Sequence, residues 1–220
     1  MRLHRYAASG VIVLILMTLL AACQEQGPDP CDAGGTLFTD EFEGETDCGW
    51  AQYNRNGASS SIGEGVLTLT ASQPGQIWWT NPGRSFDDVI VSAEVEHVSG
   101  PQDNAYGLIC RYQSSENFYV FLISSDGYYA IGKYQSGNEQ VEYLTGEGEY
   151  VEAEAINQGQ ARNSIRASCI GDELTLTVNG ELLESVTDPT FVTGDIGLGA
   201  STFEPGSLVV NYDNVRVLAP

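Results

Sequence analysis

The chain has 220 residues, with 9 Lys+Arg against 30 Asp+Glu and a formal charge of -21. Its first 22 residues hold two of those bases and no acid, so the remainder carries 7 against 30, a charge of -23. A surface that acidic repels phosphate backbones and anionic head groups, which argues against nucleic acid as a partner, while 42% apolar and 10% aromatic residues argue against a disordered acidic tail.

Met1 to Arg5 is short and basic, and Val11 to Leu20 is apolar. Roughly ten apolar residues are too few to span a bilayer, where about 20 are needed. A basic start, a short apolar run and then small residues is the layout of an export signal, here residues 1–22. Leu20-Ala21-Ala22-Cys23 resembles a bacterial lipobox, in which Cys23 becomes the acylated first residue of the mature protein. The expected location is therefore extracytoplasmic, lipid-anchored in the cell membrane or outer membrane. Residues 23–35 begin Gln-Glu-Gln-Gly-Pro-Asp-Pro after the cysteine and read as a flexible tether.

With Cys23 acylated, four cysteines remain, enough for two disulfides with three possible pairings. Cys31 and Cys48 flank the first strand candidate and could close a short loop. Cys110 and Cys169 lie in two core-like strands, where a bridge across the sandwich is plausible; buried free thiols are the alternative. No Cys-x-x-Cys or Cys/His cluster exists, which disfavours zinc and redox chemistry.

From Thr36 onward strand-like runs alternate with Gly, Asn, Asp and Pro turns. Val66–Thr70 and Val89–Val95 alternate cleanly. In Asn117–Tyr134, Asp126-Gly127 is the signal for a two-residue type I′ hairpin. That pairing places Tyr119, Phe121, Ile123, Tyr128 and Tyr134 on one face, with Val120, Leu122, Tyr129 and Ile131 on the other. A second hairpin turns at Asn179-Gly180. The one stretch with helical character is Glu152 to Ile156. About a dozen strands, many apolar on both faces, predict an all-β, two-sheet antiparallel β-sandwich over residues 36–219.

Several segments carry a family likeness: Phe38-Thr-Asp-Glu-Phe42 with Trp50, Gly65–Leu69, Tyr106–Tyr112, Phe118–Gly127, Asn163–Ala167, Asp195–Leu198 and Tyr212–Val217. Together they resemble the concanavalin A-like (laminin-G-like) jelly roll, especially the bacterial 3-keto-disaccharide hydrolase-type domain. The likeness implies the fold far more firmly than an activity. Laminarinase-type hydrolases of this fold carry Glu-x-Asp-x-Glu on one strand face. Glu94-Val-Glu96 and Glu152-Ala-Glu154 lack the central Asp and the third acid, and read as solvated acids. His97 reads as a surface turn residue. The resemblance also implies a structural calcium as an option, held by Asp213 of the closing strand with Asp40 or Glu41 of the opening one; no cofactor is required.

Sugar recognition stacks aromatic rings on pyranose faces. Trp78, Trp79, Tyr106, Tyr112, Tyr119, Tyr129 and Tyr134 are the ring candidates, and Arg111 could bond sugar hydroxyls. Adjacent Trp78 and Trp79 must point opposite ways on a strand, one to the core and one outward. The residues thus point to a non-catalytic carbohydrate-binding module facing a cell-envelope glycan. A sugar-cleaving enzyme and a protein-docking envelope component are the alternatives.

Overall fold

The computed structural model describes residues 29–220 apart from Glu45 and Glu139. Cys23 and the expected export signal lie outside these residues. The chain enters through a 3-10 helix, Pro30–Gly35, capped by the Asp29 side chain, which accepts the Cys31 N–H. The segment expected to be tether is therefore structured from Pro30 onward. Arg84 bonds both Asp29 and Asp32, and a disulfide joins Cys31 to Cys48. Glu152–Ile156 forms no helix; Glu152 ends a two-residue strand.

Sixteen strands follow: β1 (Phe38–Asp40), β2 (Tyr53–Arg55), β3 (Ala58–Gly63), β4 (Val66–Ala71), β5 (Trp78–Thr80), β6 (Val89–Ser99), β7 (Asn104–Ser114) and β8 (Asn117–Ile123), then β9 (Tyr128–Tyr134), β10 (Glu142–Tyr143), β11 (Val151–Glu152), β12 (Arg162–Ile170), β13 (Glu173–Val178), β14 (Glu181–Thr187), β15 (Asp195–Thr202) and β16 (Leu208–Leu218). They build two antiparallel sheets. The nine-stranded sheet runs β14-β13-β12-β6-β16-β4-β3-β2, with β1 continuing along β16 beyond β4. The seven-stranded sheet runs β10-β9-β8-β7-β15-β5, with β11 also on the outer edge of β9.

Period-two alternation decides which side chains meet between the sheets. From β6 come Val89, Val91, Ala93 and Val95; from β7 and β8 come Tyr106, Leu108, Tyr119, Phe121 and Ile123, all buried. Tyr212 of β16 reaches across this core. Its hydroxyl donates to the Gly199 carbonyl (2.6 Å) and accepts the Gly107 N–H (3.0 Å), tying the sheets together. A disulfide between Cys110 of β7 and Cys169 of β12 adds a covalent link across the same core. His97 is 1% exposed, not a surface turn residue, because β6 continues through it and pairs it with Val210.

The Asn179-Gly180 turn is the expected two-residue one: Val178 pairs with Glu181, and the turn residues have φ of 51° and 86°. The β8–β9 turn is not. Gly127 N–H donates to the Ser124 carbonyl (3.1 Å) and Ser124 N–H to the Tyr128 carbonyl (2.8 Å), leaving a three-residue loop, Ser125 to Gly127. Asn104 holds that loop by accepting the Ser125 N–H (3.0 Å). One added loop residue flips every β9 side chain. Tyr129 and Ile131 therefore join Tyr119, Phe121 and Ile123 in the core, and Tyr134 pairs with Phe118 on the opposite face.

Candidate functional site

The outer face of the seven-stranded sheet is apolar too. Ala105, Ile109, Phe118, Val120 and Leu122 form a second cluster there, packed by Ile77, Trp79, Tyr112, Tyr134, Val141 and Tyr150. Over it opens a cleft of about 640 Å³, walled by β2, β5 and the chain before β5, and by Tyr112, Ser115 and Tyr134. Phe118, fully buried, is the hub on which the lining rings pack. Its ring lies 5.2 Å from Trp79, 5.5 Å from Tyr112 and 4.6 Å from Tyr134, the last pair stacked. A smaller groove of about 270 Å³ shares Ile77 and Tyr134 with the cleft and leads on to Tyr143, Tyr150 and Phe203.

Backbone irregularity places these rings. Arg111 sits at φ 53° in a β7 bulge, where the register shifts against both β8 and β15. The extra residue resets the alternation, so Tyr112 faces the cleft and Arg111 faces inward. Trp78 packs toward the sandwich core and Trp79 toward the outer cluster. The Tyr53 hydroxyl donates to the Trp79 carbonyl (3.1 Å), and Thr80 donates to the Ala51 carbonyl (2.7 Å), fastening the β2 end to β5.

Trp79, Tyr112 and Tyr134 thus meet in one cleft, which Trp78 borders. Two other ligand candidates are elsewhere. Arg111 is 1% exposed and donates to the Phe191 carbonyl (2.7 Å) and to Asp88 (3.1 Å), so it braces the sandwich and cannot reach a sugar on the outer face. Tyr119 is fully buried in the core. Its hydroxyl donates to Asp188 (2.6 Å), which also accepts from Lys133 (2.7 Å). Tyr106 and Tyr129 are likewise core residues.

The calcium candidates have other partners, although β1 and β16 run side by side with Asp40 opposite Val215. Asp40 accepts the Phe42 N–H (2.8 Å) and the Trp50 indole N–H (3.0 Å), while Glu41 faces Arg216 (3.4 Å) and Asp213 accepts the Asn214 N–H (2.7 Å). Among the described residues no three His, Cys, Asp or Glu side chains gather as a metal cluster.

Phe118, Tyr53, Arg55, Gln76, Ile77 and Asn81 also belong to this region and were not expected. Tyr53 and Arg55 carry a readable signal, since residues two apart on a strand share a face. Among the described residues no Asp, Glu or His lines the cleft. Glu94 and Glu96 project from the outer face of the nine-stranded sheet, Glu96 bonding Arg162 (3.2 Å); Glu152 and Glu154 are exposed beside β11. Burial pushes the Tyr134 hydroxyl up to about 12, with Tyr143 adding to the shift.

The sequence matches the 3-keto-alpha-glucoside-1,2-lyase-like domain over residues 37–218. The chain belongs to this family. Its fold is similar to that of a carbohydrate-binding module, CBM66, from Bacillus subtilis, with a TM-score of 0.62 and 15% identity over 78% of this chain and 96% of that one. A Bacillus subtilis protein of unknown function with a galectin-like fold aligns with a TM-score of 0.60 and 12% identity, over 84% and 96% of the two chains. A Bacillus licheniformis beta-glucanase aligns with a TM-score of 0.58 and 11% identity, over 86% and 100%. At such identities the likeness establishes the jelly roll alone. No curated protein matches the sequence.

Proposed function

We propose that this family member is a carbohydrate-binding jelly-roll module that holds a glycan in the outer-face cleft without cleaving it. A lipid on Cys23 would keep it outside the cytoplasm, in the cell membrane or outer membrane. The observation that carries the reading is the group of Trp79, Tyr112 and Tyr134 above the buried Phe118, lining an open cleft with no carboxylate among the described residues. Such rings offer flat apolar faces for the C–H side of a pyranose, and the tyrosine hydroxyls and Gln76 offer hydrogen bonds at its edge. A retaining glycosidase needs two carboxyls about 5 Å apart around its cleft. Among the described residues none lines this one.

Binding of the detergent-solubilised full chain to a polysaccharide array tests the proposal. Trp79→Ala should weaken any bound glycan by about 2 kcal/mol, as truncation of a central aromatic anchor does at other interfaces. Unchanged binding in Trp79→Ala would rule this cleft out. For the anchor, radiolabelled palmitate should enter the chain and be lost in Cys23→Ser.

The family description favours a lyase as the second reading. Elimination beside a 3-keto group removes the C2 proton as the glycosidic C1–O bond breaks, which calls for a base. Among the described residues the only ionisable side chains in the cleft are Arg55 and tyrosines, and Tyr134 at about 12 is a poor base near neutrality. Release of the aglycone from a 3-keto-disaccharide by the purified chain would favour this second reading over the first.

A further inference from the structure

We infer that the glycan held in this cleft is acidic, a uronate-bearing chain whose carboxylate is gripped by Arg55. The inference rests on the cleft being a glycan site and adds the charge of its occupant. Positive charge is scarce after residue 22: seven basic side chains face thirty acids. Five of the seven form ion pairs, namely Arg84, Arg111, Lys133, Arg162 and Arg216. Arg166 sits on β12, its side chain exposed on the outer face of the nine-stranded sheet, away from the cleft. Arg55 is the remaining one. It is exposed, lines the cleft, and has no ion pair among the described residues.

Its geometry suits a planar anion. The guanidinium lies 5.1 Å above the centre of the Tyr53 ring, on the same strand face. Tyr53 is itself held by its hydrogen bond to the Trp79 carbonyl. The ring thus lies within cation–π reach of the guanidinium, a group whose in-plane N–H edge can chelate a carboxylate with two parallel bonds. Aromatic support for a sugar ring stands in the same cleft, at Trp79 and Tyr112.

The charge of -23 beyond residue 22 opposes the long-range approach of such a ligand. At physiological salt, interactions between exposed charges fade over about 8 Å, so the groups around the cleft decide its local field. In a chain where acids outnumber bases about four to one, among the described residues no acid lines this cleft and one unpaired cation does. A neutral sugar would need neither feature.

The test titrates the detergent-solubilised full chain against uronate polysaccharides (polygalacturonate, alginate, glucuronan), each paired with its carboxyl-reduced form, alongside neutral and sulfated polysaccharides. The expected result is binding to at least one uronate, weakened about tenfold or more by carboxyl reduction and by Arg55→Gln. Raising the salt should weaken binding in the wild type much more than in Arg55→Gln. Equal binding of a uronate and its reduced form, or binding to neutral chains alone, overturns the acidic ligand and leaves the glycan-binding reading standing. Binding to sulfated chains alone overturns the carboxylate. No binding to any member overturns both the inference and the reading beneath it.

Discussion

Asp188 shows how a single carboxylate can organise a loop. Burial works against its charge, but bonds from Lys133, Thr190 and Tyr119 outweigh that and hold its pKa at about 2. For Lys133, burial likewise opposes the charge, yet Asp188 and Glu142 keep its pKa above the ordinary lysine value. Because the folded pKa of Asp188 lies below the unfolded one, its contribution is present above about pH 4 and is lost as pH falls toward 2. Asp188→Asn leaves Lys133 without its closest anion and should cost about 3 kcal/mol at pH 7, read from urea unfolding. The penalty should shrink below pH 4. Asp195 has the opposite sign. Burial raises it to about 6 against the bonds it accepts from the Ile196 and Gly83 N–H groups. Its protonated form is the one the fold favours, so stability should fall as pH rises from about 4 through 6. Asp195→Asn should flatten that slope.

Strands and turns show which local signals decide a structure and which do not. Alternation marked β4 and β6 directly, and Asn-Gly set the β13–β14 turn. Asp126-Gly127 looked equally clear, yet the chain turns one residue earlier because Asn104, a neighbour in space, binds Ser125. Gly127 has φ 98°, a region that other residues enter at a cost, and an added Cβ would meet the Gln158 side chain. Gly127→Ala should therefore destabilise the protein by about 1 kcal/mol or more, visible in thermal unfolding. If β9 shifted to the two-residue register instead, Tyr134 would leave the cleft and glycan affinity would fall with it. The Arg111 bulge is the second such case. A charged residue in an apolar strand suggested a ligand contact, whereas the bulge turns it inward and presents Tyr112.

Across the whole sandwich, the two disulfides clamp different things. Cys31–Cys48 fastens the entering chain, and Cys110–Cys169 joins the sheets with a sequence separation of 59. In the chain-entropy picture a loop of that length contributes about 4 kcal/mol, against about 3 kcal/mol for the 17-residue separation of the other. The Cys110→Ala, Cys169→Ala double variant should accordingly lose more denaturant resistance than Cys31→Ala, Cys48→Ala, in equilibrium unfolding. Composition, alternation and turn residues determined by themselves that the chain is a two-layer β fold, because each acts within a few residues of chain. The location of the binding face did not follow from them. It depends on the parity of two strands, changed by one loop residue and one bulge, and on partners such as Asn104 and Asp88 that are distant in sequence. A one-residue change in register exchanges core for surface, so only the folded molecule could decide that Arg111 and Tyr119 are interior while Tyr112, Tyr134 and Arg55 face the same opening.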